Sequence, residues 1–293
     1  MAQHYIAHRA AEGFTVIVSG PGNNAKTRGF ARLTIVPTRW LETGVPDAIG
    51  DDPDAEYATG CDTCPLSLRA ARATDPSARV GDCYVHTVTH GWREVRGVVA
   101  GASDALLRHA GASGQAPATV ATAAVTGGGA IPLRSAVYGE PARLPRAVWE
   151  RIAAGATPPG RGQRPNVVGY THGWRYAPHL RDTHRASVHS AGAAAAATAA
   201  GWRVYLSSKA PRLMDTERTL DARAVPWSAC PLDARAAATA ADDPQRPSTC
   251  NTCRACHANS DGPGVITMAD HGPRRTRIAA SLLTARIHGG ARG

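Results

Sequence analysis

The sequence is poor in aromatic side chains, long apolar runs and acidic residues. It contains two phenylalanines and seven tyrosines among 293 residues, so its composition does not predict a base-stacking platform for single-stranded nucleic acid. No apolar run reaches the length of about 18 residues that a transmembrane helix needs. Residues 1–15 lack the basic and then apolar pattern of a signal peptide. We therefore expect a cytoplasmic protein with no membrane partner.

Basic residues outnumber acidic ones, 33 Lys and Arg against 23 Asp and Glu, and the net charge is +10. A positive field favours polyanionic partners, and nucleic acid or a nucleotide comes first because arginine neutralises its phosphates. The alternative is a general enrichment in arginine, alanine and glycine, of which the alanine-rich residues 193–200 are a sign.

The seven cysteines are the informative feature of the composition. An odd number of cysteines at short spacings, in a reducing compartment, indicates metal ligation or catalysis rather than disulfides. The C-terminal group consists of Cys250, Cys253 and Cys256, with Cys230 as a remote fourth cysteine. This arrangement is typical of a [4Fe–4S] cluster. Structural zinc is the alternative, although tetrahedral zinc more often uses two separated cysteine pairs.

Cys61, Cys64 and Cys83 form the N-terminal group. Three thiolates on a four-iron cluster leave one iron without a protein ligand, and that iron can bind a small molecule. The alternative is a zinc site that His86 or His90 completes.

Strand and helix patterns alternate along the chain. The predicted strands are residues 15–19, 32–37, 133–138, 166–170, 203–206 and 265–268, and the predicted helices are residues 87–108, 145–154, 187–200, 212–220 and 278–287. Such alternation predicts an α/β protein with parallel βα units, either a closed or partial barrel or an open doubly wound sheet. The irregular residues 41–77 are expected to form a long loop held by a metal.

Polar residues follow four of the predicted strands, at the carboxyl edge where chemistry sits in both architectures. The side chains concerned are Glu140, His172, Ser207, Ser208, Lys209, Asp270 and His271. Their recurrence predicts a functional site, whereas any one histidine alone is more often a hydrogen-bonded structural residue.

The order of these motifs, across residues 32–209, resembles the radical S-adenosylmethionine (SAM) superfamily. That family has a three-cysteine [4Fe–4S] loop after its first strand and a Gly-Glu-Pro-type segment after its second. Here the cysteine loop is followed by Gly139–Glu140–Pro141, Thr171–His172–Gly173 and Leu206–Ser207–Ser208 in the same order. The x2–x18 cysteine spacing resembles divergent members such as carbon–phosphorus lyase. The pattern is also similar to an uncharacterised group of phage-encoded proteins with Cys-Pro and Cys-x2-Cys motifs.

The resemblance implies a partial (β/α)6 TIM-like barrel over residues 1–229, with the cluster loop at residues 61–83. It implies an auxiliary cysteine-rich cluster region over residues 230–293, which holds the last strand and helix.

The resemblance also implies an enzyme that cleaves SAM reductively, with an electron donor as partner, and modifies an unidentified substrate such as nucleic acid or a nucleotide. Cys61, Cys64 and Cys83 would hold the cluster, with zinc as the alternative metal. The residues implied for SAM are Gly139, Glu140, Ser207, Ser208 and Lys209. Those left for substrate contact or proton transfer are His172, Asp215, Asp270 and His271. Arg134 would suit an anionic group, because its planar fork matches a carboxylate or phosphate.

Two other functions fit parts of the pattern. A transglycosylase of the tRNA-guanine or DNA-deazaguanine type also combines a (β/α) barrel with a zinc-bound cysteine group, and Glu140 and Asp270 would then be its nucleophile and base. A zinc-stabilised nucleic-acid-binding protein would need only the positive charge and the Cys and His content. The polar strand ends favour an enzyme over a simple binder.

Overall fold

A computed structural model describes residues 4–21, 29–47, 49–52, 54–64, 67–78, 89–108, 118–208, 210–231, 250–258 and 264–269. Within these ranges the chain is a mixed α/β protein with two five-stranded sheets, which confirms the predicted class. The described strands do not close into a barrel. No helix in these ranges is long and apolar enough to span a membrane.

The first sheet has the order β1–β2–β3–β4–β5. Its strands are β1 (His4–Arg9), β2 (Phe14–Ser19), β3 (Ala31–Pro37), β4 (Leu133–Arg134) and β5 (Val167–Val168). β2 pairs antiparallel with β1 and β3, whereas β3, β4 and β5 run parallel. Every residue of β2 is buried, which explains why its sequence is apolar without alternation.

The second sheet has the order β6–β7–β8–β10–β9, and all of its strands are parallel. Its strands are β6 (Tyr170–Thr171), β7 (Arg185–Val188), β8 (Val204–Ser208), β9 (Trp227–Ala229) and β10 (Val265–Ala269). The prediction missed β7, because residues 187 and 188 were assigned to a helix. That helix begins at Ala191, after the side chain of Ser190 caps it by accepting from the Ala193 amide.

Only Gly169 separates β5 from β6, so one extended segment contributes to both sheets. A Cβ on Gly169 would lie 2.6 Å from Nε2 of His184 and 3.0 Å from Cβ of Ser135. The glycine therefore lets the His184 ring pack directly against the backbone at the junction. As a result, the parallel strands of the two sheets follow one another in chain order from β3 to β8.

The helices lie between and around the strands. They are α1 (Trp40–Thr43), α2 (Asp54–Thr59), α3 (Leu68–Arg72), α4 (Thr89–Arg108), α5 (Ala118–Thr126), α6 (Arg146–Gly155), α7 (Ala191–Ala199), α8 (Ala210–Ala222) and α9 (Cys250–Cys253). Short 3₁₀ turns occur at Ile49–Asp51, Cys61–Thr63, Pro141–Arg143 and Pro178–Leu180.

Residues 41–77 contain α2, α3 and two 3₁₀ turns, so the expectation of an irregular loop was wrong for their described part. These elements are too short to show a helical period, yet Ile49, Ala55 and Leu68 are buried. The buried carboxylate of Glu56 accepts hydrogen bonds from the amides of Leu68 and Arg69 at the start of α3, at 2.7 and 3.1 Å. Apolar burial and this cap organise the segment.

Two apolar clusters cover the sheets. The larger one joins both sheets to α5, α6 and α7, with Trp149 among its largest side chains. The smaller one packs α1 and α4 on the opposite face of the first sheet, around Trp40, Trp92 and Tyr138. The three rings lie 5.7 to 5.9 Å apart, within the range for favourable aromatic pairs.

The chain after β4 passes close to β3 at Gly139. Its φ is +86°, and a Cβ there would lie 2.5 Å from Cβ of Ile35 and 2.7 Å from its carbonyl oxygen. We expect Gly139→Ala to lose about 1–2 kcal/mol of unfolding free energy to the backbone conformation and roughly 1–3 kcal/mol more to overpacking. Gly13→Ala is the matched control, since Gly13 has the same φ of +86° with nothing within 4 Å of its Cβ position. Equal urea midpoints for the two variants would contradict the close approach.

Candidate functional site

The buried carboxylate of Glu140, which is 4% exposed, ties the segment after β4 to the end of β6. One carboxylate oxygen accepts from the Thr171 hydroxyl at 2.5 Å and from the Ala142 amide at 3.1 Å. The other accepts from the His172 amide at 3.0 Å and lies 3.5 Å from Nδ1 of His172. These four contacts match the number of acceptor sites on a carboxylate. Burial by itself raises the pKa of Glu140, but the contacts with His172, Thr171 and Ala142 outweigh it and lower the pKa.

The cysteine loop begins directly against Glu140. The Glu140 amide donates to the carbonyl of Thr59, at the end of α2, at 3.0 Å. Gly60 follows with a φ of +75°, and its Cβ position is 3.3 Å from Cβ of Glu140. The 3₁₀ turn Cys61–Thr63 then places Cys61 and Cys64 on one turn of chain, both half-buried.

Cys64, His172 and His189 form a chain of contacts at the carboxyl edge. Sγ of Cys64 lies 3.6 Å from Nε2 of His172, which lies 3.2 Å from Nε2 of His189. Nδ1 of His189 is 3.0 Å from the carbonyl oxygen of Ser207, at the end of β8. Because this Nδ1–H donates to the Ser207 carbonyl, Nε2 of His189 is left to accept from His172.

The two histidines carry different charges at neutral pH. Burial lowers the pKa of His172, but Cys64 and Glu140 outweigh it and raise the pKa to about 10. Burial, assisted by the charge of His172, lowers the pKa of His189 to about 4. His172 is therefore the cation of the pair, and its single Nε2 hydrogen lies between the Cys64 sulfur and Nε2 of the neutral His189.

A second buried histidine, His184, lies directly before β7 and belongs to a hydrogen-bond network. His184 is 1% exposed, with Nε2 2.8 Å from the Ser135 hydroxyl and Nδ1 3.0 Å from the Thr183 hydroxyl. The Thr183 hydroxyl also accepts from the indole N–H of Trp149 at 3.1 Å. This network holds β7 against the junction at Gly169.

The C-terminal cysteines lie around the second sheet. Cys230 directly follows β9 and is buried in a small cluster with Ile266 and Met268, against which Cys256 packs. The Tyr170 hydroxyl hydrogen-bonds to the sulfur of Cys256. Burial raises the pKa of the Cys256 thiol, and the nearby Arg185 guanidinium opposes this rise.

Two arginines hold the turn after α9 in place. Arg185 on β7 donates to the carbonyl of Ala255 at 2.6 Å, and Arg203 donates to that of His257 at 2.8 Å. The chain reverses at Arg254, which has a positive φ of 54°. The two arginines therefore satisfy backbone carbonyls of the turn that follows α9.

The structure brings several predicted residues together and separates others. Glu140, His172, Ser207 and Cys64 belong to one connected set of contacts, whereas Gly139 packs on Ile35. Ser208 is buried at the end of β8, and Arg134 is half-buried on β4. Asp215 is exposed on α8 and pairs with Arg218 at 3.3 Å. The predicted residues that lie outside the described ranges are Cys83, His86, Lys209, Asp270 and His271.

His189 is the principal site residue that the sequence analysis missed. It follows β7, which was assigned to the alanine-rich helix. The signal that identifies it is Ser190, a residue type favoured at helix N-caps, directly before the alanine run. A cap at Ser190 excludes His189 from the helix and makes it another polar residue at a strand end.

The described residues form no metal site, although they include all four cysteines of the predicted C-terminal group. In the ranges that the structure covers, no group of three or more His, Cys, Asp or Glu side chains has the geometry to hold a metal ion. The third predicted thiolate of the N-terminal group, Cys83, lies outside those ranges.

His184 gives a pH test of the buried network. Burial lowers the pKa of His184 to about 3, although Glu140 partly opposes this. The folded state therefore keeps His184 neutral while the unfolded chain takes up a proton below about pH 6.5. Stability is lost as the pH falls from about 6.5 toward about 3, at about 1.4 kcal/mol per pH unit for this one residue. For His184→Gln, we expect the free energy of unfolding, measured by urea unfolding followed by tryptophan fluorescence, to depend less steeply on pH. The difference in slope should correspond to about one proton. An unchanged slope would contradict a buried neutral histidine.

No family model, no curated protein and no solved structure matches this chain.

Proposed function

We propose that the protein is a divergent radical SAM-type iron–sulfur enzyme whose N-terminal cluster site lies beside Glu140 and His172. The observation that carries this proposal is the position of Cys64, with its sulfur 3.6 Å from His172 at the edge where the parallel strands end. A cysteine loop, a buried carboxylate and a histidine thus meet at the edge of the sheets where α/β enzymes place their chemistry.

The strand order supports the architecture that this function needs. The parallel strands β3, β4, β5–β6, β7 and β8 are neighbours in the order in which they occur along the chain. Successive parallel neighbours are the arrangement of a (β/α) barrel. The order changes at the far edge of the second sheet, where β10 lies between β8 and β9. We therefore propose a partial (β/α)6 barrel, with the antiparallel strands β1 and β2 flanking its first strand.

The residues present suit a cluster at this place. Cys61 and Cys64 lie on one turn, and thiolates are the ligands of iron–sulfur clusters. The cationic His172 offers an N–H to the Cys64 sulfur, and hydrogen bonds to cluster sulfurs tune the reduction potential. Cys83 would supply the third thiolate and leave one iron open for SAM.

Each residue of the contact chain has a definite part in this function. When bound, the cluster would supply, from a one-electron donor, the electron that splits a carbon–sulfur bond of SAM, and hydrogen would then be taken from the substrate. Glu140 has its acceptor sites filled, so its contacts support a positioning role that fixes the His172 ring. His189 and the Ser207 carbonyl hold the other side of that ring. Ser207 and Ser208, buried at the end of β8, are proposed as contacts of SAM.

The metal content of anaerobically purified protein tests the proposal. We expect brown protein with iron and sulfide near about four or about eight per chain. Cys61→Ala and Cys64→Ala should each remove about four irons and abolish SAM cleavage by the reduced protein, because each removes a ligand of the N-terminal cluster. Asp75→Asn, at an exposed loop residue, is the control and should retain both. Stoichiometric zinc without iron would contradict the proposal and favour a zinc-stabilised protein.

The same contacts favour one other candidate, a transferase or hydrolase that uses Cys64 as a nucleophile. Cys64, His172 and Glu140 are linked in series at 3.6 and 3.5 Å, in the order of nucleophile, base and orienting carboxylate.

Alkylation by iodoacetamide, mapped by mass spectrometry, separates the two candidates. A nucleophilic Cys64 should be labelled much faster than Cys61 in the native protein, and Cys61→Ser should leave that rate unchanged. Equal protection of Cys61 and Cys64 in the brown protein, lost together on removal of iron, would contradict the nucleophile and support the cluster.

A further inference from the structure

Exposed aromatic and arginine side chains border the candidate site. Tyr57 is 67% exposed and Tyr176 is 61% exposed, which makes them the most exposed large apolar side chains in the described residues. Arg143 lies over the Tyr57 ring, and Arg175 directly precedes Tyr176 in the chain. We call the set of Tyr57, Arg143, Arg175 and Tyr176 the tyrosine–arginine rim.

Direct contacts connect Tyr57 to the site. The Arg143 guanidinium lies over the Tyr57 ring, 5.9 Å from its centroid. The Cβ position of Gly60 is 3.4 Å from Cβ of Arg143 and 3.3 Å from Cβ of Glu140. Tyr57 and Arg143 therefore sit above the turn that carries the first two cysteines.

Tyr176 is connected to the site from the other side. A Cβ on Gly173 would lie 2.3 Å from Cβ of Ala142 and 2.6 Å from the Tyr176 ring. Gly173 directly follows His172, and Ala142 donates its amide to Glu140. The Tyr176 ring thus lies against the backbone of the segments that hold Glu140 and His172.

The charges of the rim suit a phosphate-bearing partner. Arg143 is half-buried, with its guanidinium over the Tyr57 ring. Arg175 is exposed, with its guanidinium 4.1 Å from the Trp174 ring centroid. Of the nearby acids, Asp62 pairs with Arg69 at 3.3 Å, and Asp54 at the start of α2 is exposed. Rim arginines and a net charge of +10 favour an anion at this edge.

We propose that the tyrosine–arginine rim binds single-stranded nucleic acid and presents one nucleotide to the site. The exposed rings of Tyr57 and Tyr176 offer unpaired bases a stacking surface that the low aromatic content did not predict. Arginine neutralises the adjoining phosphates. A duplex keeps its base faces stacked on one another, so exposed rings favour the unpaired strand. This inference takes the chemistry from the proposed function and adds the class of substrate to it.

Fluorescence anisotropy with a fluorescein-labelled oligothymidylate strand tests the rim. We expect Tyr57→Ala and Tyr176→Ala each to weaken binding about tenfold, because stacking contributes about 1–3 kcal/mol per base. Arg143→Ala and Arg175→Ala should each lower the slope of log affinity against log salt concentration by about one. Met214→Ala, at an exposed apolar residue on α8 that is 52% accessible, is the matched control and should bind like the wild type.

The outcomes that overturn the rim differ from those that overturn the cluster. Absence of binding by the wild type would overturn the proposal. Affinity that is equal for single strand and duplex and unchanged in both tyrosine variants would also overturn it. Iron is measured on the same preparations. Protein that contains iron but fails the binding test contradicts the rim alone, whereas protein that passes the binding test without iron contradicts the cluster alone.

Discussion

The site depends on one buried charge, the carboxylate of Glu140. Four donors surround it, and they come from the turn that follows β4 and from the segment that follows β6. Removing a buried carboxylate of this kind would leave several donors without an acceptor, which costs more than each bond contributes when made. The Glu140 amide also donates to the carbonyl of Thr59, and the Cβ position of Gly60 lies 3.3 Å from Cβ of Glu140. The cysteine loop therefore begins in contact with this residue. The chain segments at the ends of β4 and β6 and the turn with Cys61 and Cys64 thus all contact the same residue, Glu140.

Much of this arrangement can be predicted from the sequence, since glycine, glutamate, threonine and histidine recur where predicted strands end. The sequence does not reveal that Glu140 and His172 contact each other, because partner choice depends on the register in which parallel strands meet. His189 was missed for a different reason. The alanine run has so high a helix propensity that it obscures the strand before it. β1 has mixed polarity and no strong pattern, and it becomes a strand only by pairing with β2.

The two cysteine groups differ in their surroundings, and the difference has a physical basis. Cys64 meets a cationic histidine and lies at the open edge near exposed tyrosines. Cys256 meets Tyr170 and lies beside a buried arginine that also holds the backbone of the turn. Tyr170 and His172 are two residues apart on one segment, so that segment contacts both groups. The surroundings of Cys64 and Cys256 thus differ in the side chains that lie next to each sulfur.

The central claim is that iron is bound at the edge where Cys61 and Cys64 meet His172. Anomalous diffraction at the iron edge, from crystals grown without oxygen, tests it most directly. The account predicts an anomalous peak within bonding distance of the sulfurs of Cys61 and Cys64, on the side of the turn that faces His172. A peak found only among Cys230, Cys250, Cys253 and Cys256, or a zinc signal in place of iron beside Cys64, would contradict it.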